Sequence, residues 1–194
     1  MRILIADDEA LTRMGLRAML GDMGHEVVAA AADGVTALRL ACELEPDLAL
    51  LDIKMPGMEG LEVAAAIAKR CPLPVVMLTA YSERDLVERA AATDTVQAYL
   101  VKPVREADLA PTIELAASRF AEWQALRQEA ASRQEALATR ELVARAKQIL
   151  IQDRALTERE AFLEIQHGAR RRRRSMRDEA EAILSQRPNP RPGS

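Results

Sequence analysis

The stretch Leu48-Ala49-Leu50-Leu51-Asp52-Ile53-Lys54-Met55-Pro56-Gly57-Met58-Glu59-Gly60 passes from an apolar run into a carboxylate and then into a segment punctuated by proline and glycine. An apolar run this short, bounded by turn formers, is the pattern of a strand buried on both faces. Working outward, residues 3–6, 27–31, 75–78 and 98–101 repeat the pattern. The segments between them, among them 11–20, 35–44 and 61–69, carry apolar residues at helical spacing, and Pro46, Pro72 and Pro74 mark returns to strand. Regular alternation of strand and helix predicts an α/β fold with a doubly wound, five-stranded parallel sheet covered on both faces.

In such a sheet, reactive groups collect outside the carboxyl ends of the strands. The residues that close the apolar runs are Asp7 and Asp8, Asp52, Thr79 and Lys102. Three carboxylates brought to one edge repel one another and favour a hard cation with oxygen ligands, which suits Mg2+. Asp52 then reads as a nucleophile that attacks a phosphoryl donor. Lys102 offsets charge on the transferring oxygens, and Thr79 offers them a hydroxyl. Taken singly, Asp7 and Asp8 could be helix caps, Asp52 a loop acid, Thr79 a capping hydroxyl and Lys102 a solvated surface residue; their coincidence at successive strand ends argues for a site.

Asp7-Asp8-Glu9, the segment from Asp52 to Gly60, Thr79-Ala80 and Lys102-Pro103, in this order and at these separations, resemble the receiver domains of two-component response regulators. The resemblance covers residues 1–118 and implies a flavodoxin-like fold. It implies that a histidine kinase phosphorylates Asp52 and that Mg2+ is held by Asp8, Asp52 and the backbone carbonyl of Lys54, with Asp7 acting through water. It also implies a cis peptide before Pro103, with Tyr99 as the switch aromatic. Phosphorylation would draw Thr79 toward the phosphate, turn the aromatic inward and remodel the face made by the fourth and fifth receiver helices. A hydrolytic enzyme is the competing reading, but Lys54 stands where an acid/base carboxylate would be needed, so no dedicated metabolic enzyme is expected.

After Pro103 the strands stop, and the chain becomes rich in Ala, Glu, Arg, Gln and Leu. Within 105–138, a seam of Ile113, Ala116, Phe120, Trp123, Ala130 and Leu137 has the spacing with which a helix packs on a partner helix, interrupted by Arg127 and Gln134. The seam predicts a homodimer through the 105–137 helix; the alternative is a linker helix with Trp123 capping the receiver core. Residues 119–138 are expected to form a helical linker. Three shorter helices are expected over 139–152, 157–168 and 175–186, with Thr157 and Glu160 as a capping box, and a disordered tail over 187–194.

Charge divides the chain at the same place: residues 139–194 hold 13 Lys/Arg against 8 Asp/Glu, a net of +5, while the remainder carries −8. The basic part contains the run Arg170, Arg171, Arg172, Arg173 and Arg174, with Arg177 beyond it. A phosphate backbone is the natural partner of such a cluster, although arginines also sit well at helix C-termini. The segment from Glu141 to Leu150, then Leu156 to Phe162, Ile165, Ala169, Ser175-Met176, Ala180 and Ile183-Leu184 resemble an ANTAR domain spanning 139–185. The resemblance implies a three-helix module that binds hairpins in leader RNA and prevents transcription termination. The stripes Leu142, Ala146, Ile149 and Leu150, then Ala161, Phe162 and Ile165, then Met176, Ala180, Ile183 and Leu184 predict its core. The six arginines are the candidate RNA contacts. Two departures stand out: Gln148 replaces a frequent glycine, and Glu179 stands where an apolar residue is usual. A DNA-binding or protein-interaction output is the alternative.

No apolar run reaches the roughly 20 residues that span a bilayer, and Arg2 with the short run before Asp7 predicts no signal peptide, so a cytoplasmic protein is expected. Cys42 and Cys71 are expected to be ordinary buried thiols with no bridge.

Overall fold

The computed structural model describes residues 1–80 and 95–185. The elements are β1 (Arg2–Ala6), α1 (Ala10–Asp22), β2 (Glu26–Ala31), α2 (Gly34–Leu44), β3 (Leu48–Asp52), α3 (Gly60–Arg70), β4 (Val75–Thr79), β5 (Val96–Val101), α4 (Glu106–Arg154), α5 (Glu158–Arg171) and α6 (Met176–Ser185). The five strands form one sheet in the order β2-β1-β3-β4-β5, every pair parallel. The chain forms two compact units, Met1–Ala125 and Leu126–Ser194. The expected fourth receiver helix and the expected tail lie outside the described residues.

β3 and β4 are buried at every position because their side chains face a helical layer on each side. On one face Leu4, Leu51, Val75 and Met77 meet Leu38, Ala41, Val63 and Ile67 from α2 and α3. On the other, Ile3, Ile5, Leu50, Val76 and Leu78 meet Leu16 and Leu20 of α1 and Leu109, Ile113 and Ala116 of α4. Alternate residues of each strand serve opposite cores, which is why the runs read as continuously apolar. Each such side chain contributes about 1.5–3 kcal/mol on burial.

Two expectations are corrected here. The cysteines are not free thiols: Cys42 near the end of α2 is disulfide-bonded to Cys71 at the C-cap of α3, their Cα atoms 5.4 Å apart. The two lie 29 residues apart, and only the packing of α2 beside α3 brings them together. There is also no helix boundary at residue 139, since α4 is a single helix of 49 residues. From Thr112 to His167 the chain has neither proline nor glycine, so nothing ends the helix until Ala155, which adopts a left-handed φ of 54°.

The α4 seam divides. Ile113 and Ala116 belong to the receiver core, Phe120 is buried, and Trp123 stacks on Phe120 with ring centroids 5.3 Å apart. Ala130 and Leu137 are exposed. In the second unit, Val143, Ala146, Leu150, Ala161, Ile165 and Ala180 form the core, flanked by Leu142, Met176, Ile183 and Leu184. Phe162 leaves its expected stripe and is 42% exposed, because Ala161 and Ile165 already face the core from α5. The capping box forms as expected: Thr157 Oγ1 accepts from the Glu160 amide at 3.3 Å, and the Thr157 amide donates to Glu160 Oε2 at 2.8 Å.

Candidate functional site

Register places the acidic edge. Ala6 is opposite Leu51, so the next residues, Asp7 and Asp52, leave β1 and β3 side by side. β1 continues the sheet to β2 and β3 to β4, so these two carboxylates straddle the point where the strand order reverses. Asp52 is opposite Leu78 and Thr79 opposite Val101, which brings Thr79 and Lys102 to the same edge. The loop after Asp52 owes its path to two glycines. Gly57 takes a φ of 77°, the left-handed region. At Gly60, whose amide donates to Ile53 O at 2.8 Å, a Cβ would collide with the Asp52 carbonyl oxygen.

Asp7, Asp52 and Thr79 are buried, and Asp8 is exposed. Lys102 Nζ lies 2.8 Å from Asp7 Oδ2 and 3.0 Å from Asp52 Oδ1. The peptide between Lys102 and Pro103 is cis. Asp7 Oδ1 accepts the Glu9 amide at 2.9 Å. Thr79 Oγ1 donates to the Ala80 carbonyl at 3.1 Å. Burial pushes the Asp52 carboxyl up; Lys102 opposes this, and the charges of Asp7 and Asp8 add to it. Burial alone would lower the Lys102 ammonium, but the hydrogen bonds and charges of Asp7 and Asp52 together outweigh it and hold it above its ordinary value. Tyr99 is half-buried on β5, and burial raises its hydroxyl. Lys54 is exposed two residues past Asp52.

A hard divalent cation fits this donor set. Asp7, Asp8 and Asp52 each offer a carboxylate oxygen within 4.8 Å of the others, and among the described residues Lys102 is the cation whose charge pairs with the Asp7 and Asp52 carboxylates.

Arg13 is a site residue that no motif or spacing marks out. From α1 its Nη1 donates to the carbonyls of Asp7 at 2.7 Å and Asp8 at 2.9 Å, holding the acidic loop by its backbone. An arginine one turn into a helix is a common surface residue, so composition and spacing do not single it out.

At the basic end, Arg170 to Arg173 are exposed and Arg174 is half-buried, around the turn between α5 and α6. Glu179, the departure noted in α6, is buried and accepts from Arg172 and Arg174. Arg177 pairs with Glu181 one turn along, both partly exposed.

Two family profiles match the chain: the response regulator receiver domain over residues 3–114 and the ANTAR domain over residues 131–184. The chain belongs to the ANTAR response regulators. The transcriptional regulatory protein PdtaR of Mycobacterium tuberculosis is 49% identical to it over 183 residues, covering 94% of this chain and 89% of PdtaR. The positive alginate biosynthesis regulatory protein of Pseudomonas aeruginosa is 43% identical over 60% of this chain and 47% of its own length. Among solved structures, the signal receiver domain of NarL from M. tuberculosis superposes with a TM-score of 0.57 at 34% identity, covering 60% of this chain and 95% of that one. The response regulator domain of Thermotoga maritima CheB gives a TM-score of 0.57 at 28% identity, over 61% and 96%.

As an ANTAR response regulator, the protein is a phosphorylation-controlled switch of a two-component system whose output is RNA binding and transcription antitermination. Its partners are a histidine kinase and RNA. No helix among the described residues is long and apolar enough to cross a membrane.

Proposed function

We propose that Asp52 is the phosphoacceptor, and the observation that carries this is Lys102 Nζ held between Asp7 and Asp52 at the carboxyl ends of β1 and β3. An Asp52 carboxylate oxygen attacks the phosphorus of a phosphohistidine on the kinase. The new P–O bond forms as the P–N bond breaks, and the imidazole leaves with its electron pair. Lys102 moves from the carboxylates toward the incoming oxygens, and Thr79 turns its hydroxyl from the Ala80 carbonyl to the phosphoryl group. Asp8, Asp52 and the Lys54 carbonyl, with Asp7 acting through water, would hold Mg2+, which when bound would supply the remaining positive charge. Water later attacks the same phosphorus and restores the carboxylate, so the chain takes part in phosphoryl transfer and self-dephosphorylation without being a metabolic enzyme.

Delivery of the phosphoryl group requires a partner surface at this edge. Leu11 and Met14 on α1 are 82% and 68% exposed, and a cleft of about 560 Å³ beside Lys102 is lined by Leu11, Thr12, Gly15 and Pro103. Exposed apolar groups there suit an apolar surface on the kinase. On this reading residues 1–118 receive the phosphoryl group, 119–138 connect, and 139–186 bind leader RNA hairpins through Arg170 to Arg174 and Arg177. Tyr99 acts with Thr79 as the switch, the exposed stretch of α4 supports a homodimer, and the protein works in the cytoplasm.

The test is phosphotransfer and RNA binding by the full chain. Radiolabel from a phosphorylated histidine kinase should reach the wild type and not Asp52→Ala, and RNA retention should rise with phosphorylation only in the wild type. Equal labelling of Asp52→Ala would overturn the assignment.

A further inference from the structure

The five consecutive arginines look equivalent in sequence, but the turn between α5 and α6 treats them differently. The amide of Arg174 donates to the Ala169 carbonyl at 3.0 Å and that of Arg173 to Arg170 at 3.2 Å. This is the paired bonding of a Schellman helix end, whose left-handed position normally belongs to glycine. Arg173 occupies that position with a φ of 51°.

The carboxylate of Glu179 closes the turn from α6. It accepts from Arg172 Nη1 at 2.7 Å, and from Arg174 Nε at 2.6 Å and Nη2 at 2.5 Å. Its side chain is only 5% exposed. Gly168 makes room for it: a Cβ there would stand 2.5 Å from Glu179 Oε1. A buried carboxylate needs this double pairing to be tolerated at all. Among the described residues, no ion pair or side-chain hydrogen bond engages Arg170, Arg171 or Arg173, all three exposed.

We infer that Glu179 is the positioning residue of the RNA-binding turn: it commits Arg172 and Arg174 to the fold and leaves Arg170, Arg171 and Arg173 as the phosphate contacts. This rests on the RNA-binding reading of the second unit and specifies it. Arg174 gives both Nε and Nη2 to the carboxylate and cannot give the same fork to a phosphate, while Arg172, half exposed, is tied to it through Nη1. Arg173 sits in a conformation that favours glycine, which fits a side chain retained for contact rather than for backbone ease. Arg177 has an exposed partner, Glu181, at 2.9 Å. Such a pair exchanges readily with a phosphate, so it neither adds to nor detracts from the division.

The experiment measures binding of a synthetic tandem stem-loop RNA to the full chain loaded with beryllofluoride, over a range of salt concentrations. The slope of log affinity against log salt counts phosphate contacts, at about 0.7–0.9 per contact. Arg170→Ala, Arg171→Ala and Arg173→Ala should each lower the slope by about one contact's worth. Arg172→Ala and Arg174→Ala should leave it unchanged, whatever they do to affinity. Glu179→Gln should steepen it, since two guanidiniums are released. If the single variants at Arg172 and Arg174 fail to fold, the triple Arg172→Ala/Arg174→Ala/Glu179→Leu removes the whole buried cluster, and its slope should equal that of the wild type. A loss of slope at Arg172 or Arg174 equal to that at Arg173 would overturn this inference while leaving RNA binding intact. If the wild type binds the stem-loops no better than duplex DNA of the same length, the RNA-binding reading falls, and the inference with it.

Discussion

At the scale of single residues, the acidic edge stores repulsion that the folded chain only partly relieves. Asp52 has its carboxyl raised by burial against the pull of Lys102. A carboxyl whose folded pKa lies above its unfolded value stabilises the fold below the unfolded pKa, and that contribution is lost as pH rises through the folded pKa. At neutral pH, without divalent cations, Asp52 is therefore a net cost. Asp52→Asn should raise the melting temperature at pH 7–8 by a few °C, the shift that about 1 kcal/mol gives in a domain of this size. The difference from the wild type should shrink as pH falls through the folded pKa; calorimetry of both proteins from pH 4 to 8 in EDTA checks this, and a lower melting temperature for the variant at pH 7 would contradict it. The carboxylates, Thr79 and Lys102 were legible in the sequence because each ends an apolar run and a parallel register carries strand ends to one edge. Arg13 and Glu179 were not, because their roles depend on which carbonyl or guanidinium the folded chain sets beside them.

At the scale of elements, α1 and the pair α2 and α3 make different predictions. Leu11 projects from α1 with 82% of its surface exposed, so Leu11→Ala should leave stability within about 0.5 kcal/mol. It should slow phosphotransfer from the histidine kinase about tenfold and leave labelling by acetyl phosphate unchanged. Equal rates from the kinase would remove α1 from the docking surface. The Cys42–Cys71 bridge closes a loop over a separation of 29 residues, for which loop entropy gives about 3.6 kcal/mol. Cys42→Ser/Cys71→Ser, and the wild type in excess dithiothreitol, should melt at similarly lower temperatures. An unchanged melting temperature on reduction would mean that the bridge adds nothing. The strands and the first three helices followed from periodicity, whereas the bridge did not, since no spacing rule links a helix residue to one at the end of the next helix. The continuity of α4 was missed for another reason: a weak heptad seam and a family resemblance both suggested a boundary near residue 139, but no breaker residue stands there.

At the scale of the whole molecule, α4 belongs to both units, its first turns to the receiver core and its last to the core of the basic unit. Between those parts Leu126 and Leu137 are 67% and 59% exposed and lie eleven residues apart, close to three helical turns and so on one face. A homodimer through this stretch should sediment at twice the chain mass after loading with beryllofluoride, and Leu126→Glu/Leu137→Glu should sediment as a monomer with its phosphorylation rate intact. A wild type that stays monomeric at every concentration would remove the dimer. The charge division was legible at this scale from composition alone, while the exposure of Phe162 was not, because Ala161 and Ile165 had first to take the inner face of α5. The cross-link between α2 and α3 lies entirely on one side of the sheet, and α4 packs on the other. The bridge therefore restrains the helical layer opposite the one in which α4 is rooted. Amide hydrogen exchange should slow less in α4 than in α2 and α3 when the bridge forms, and equal slowing on both sides of the sheet would contradict it.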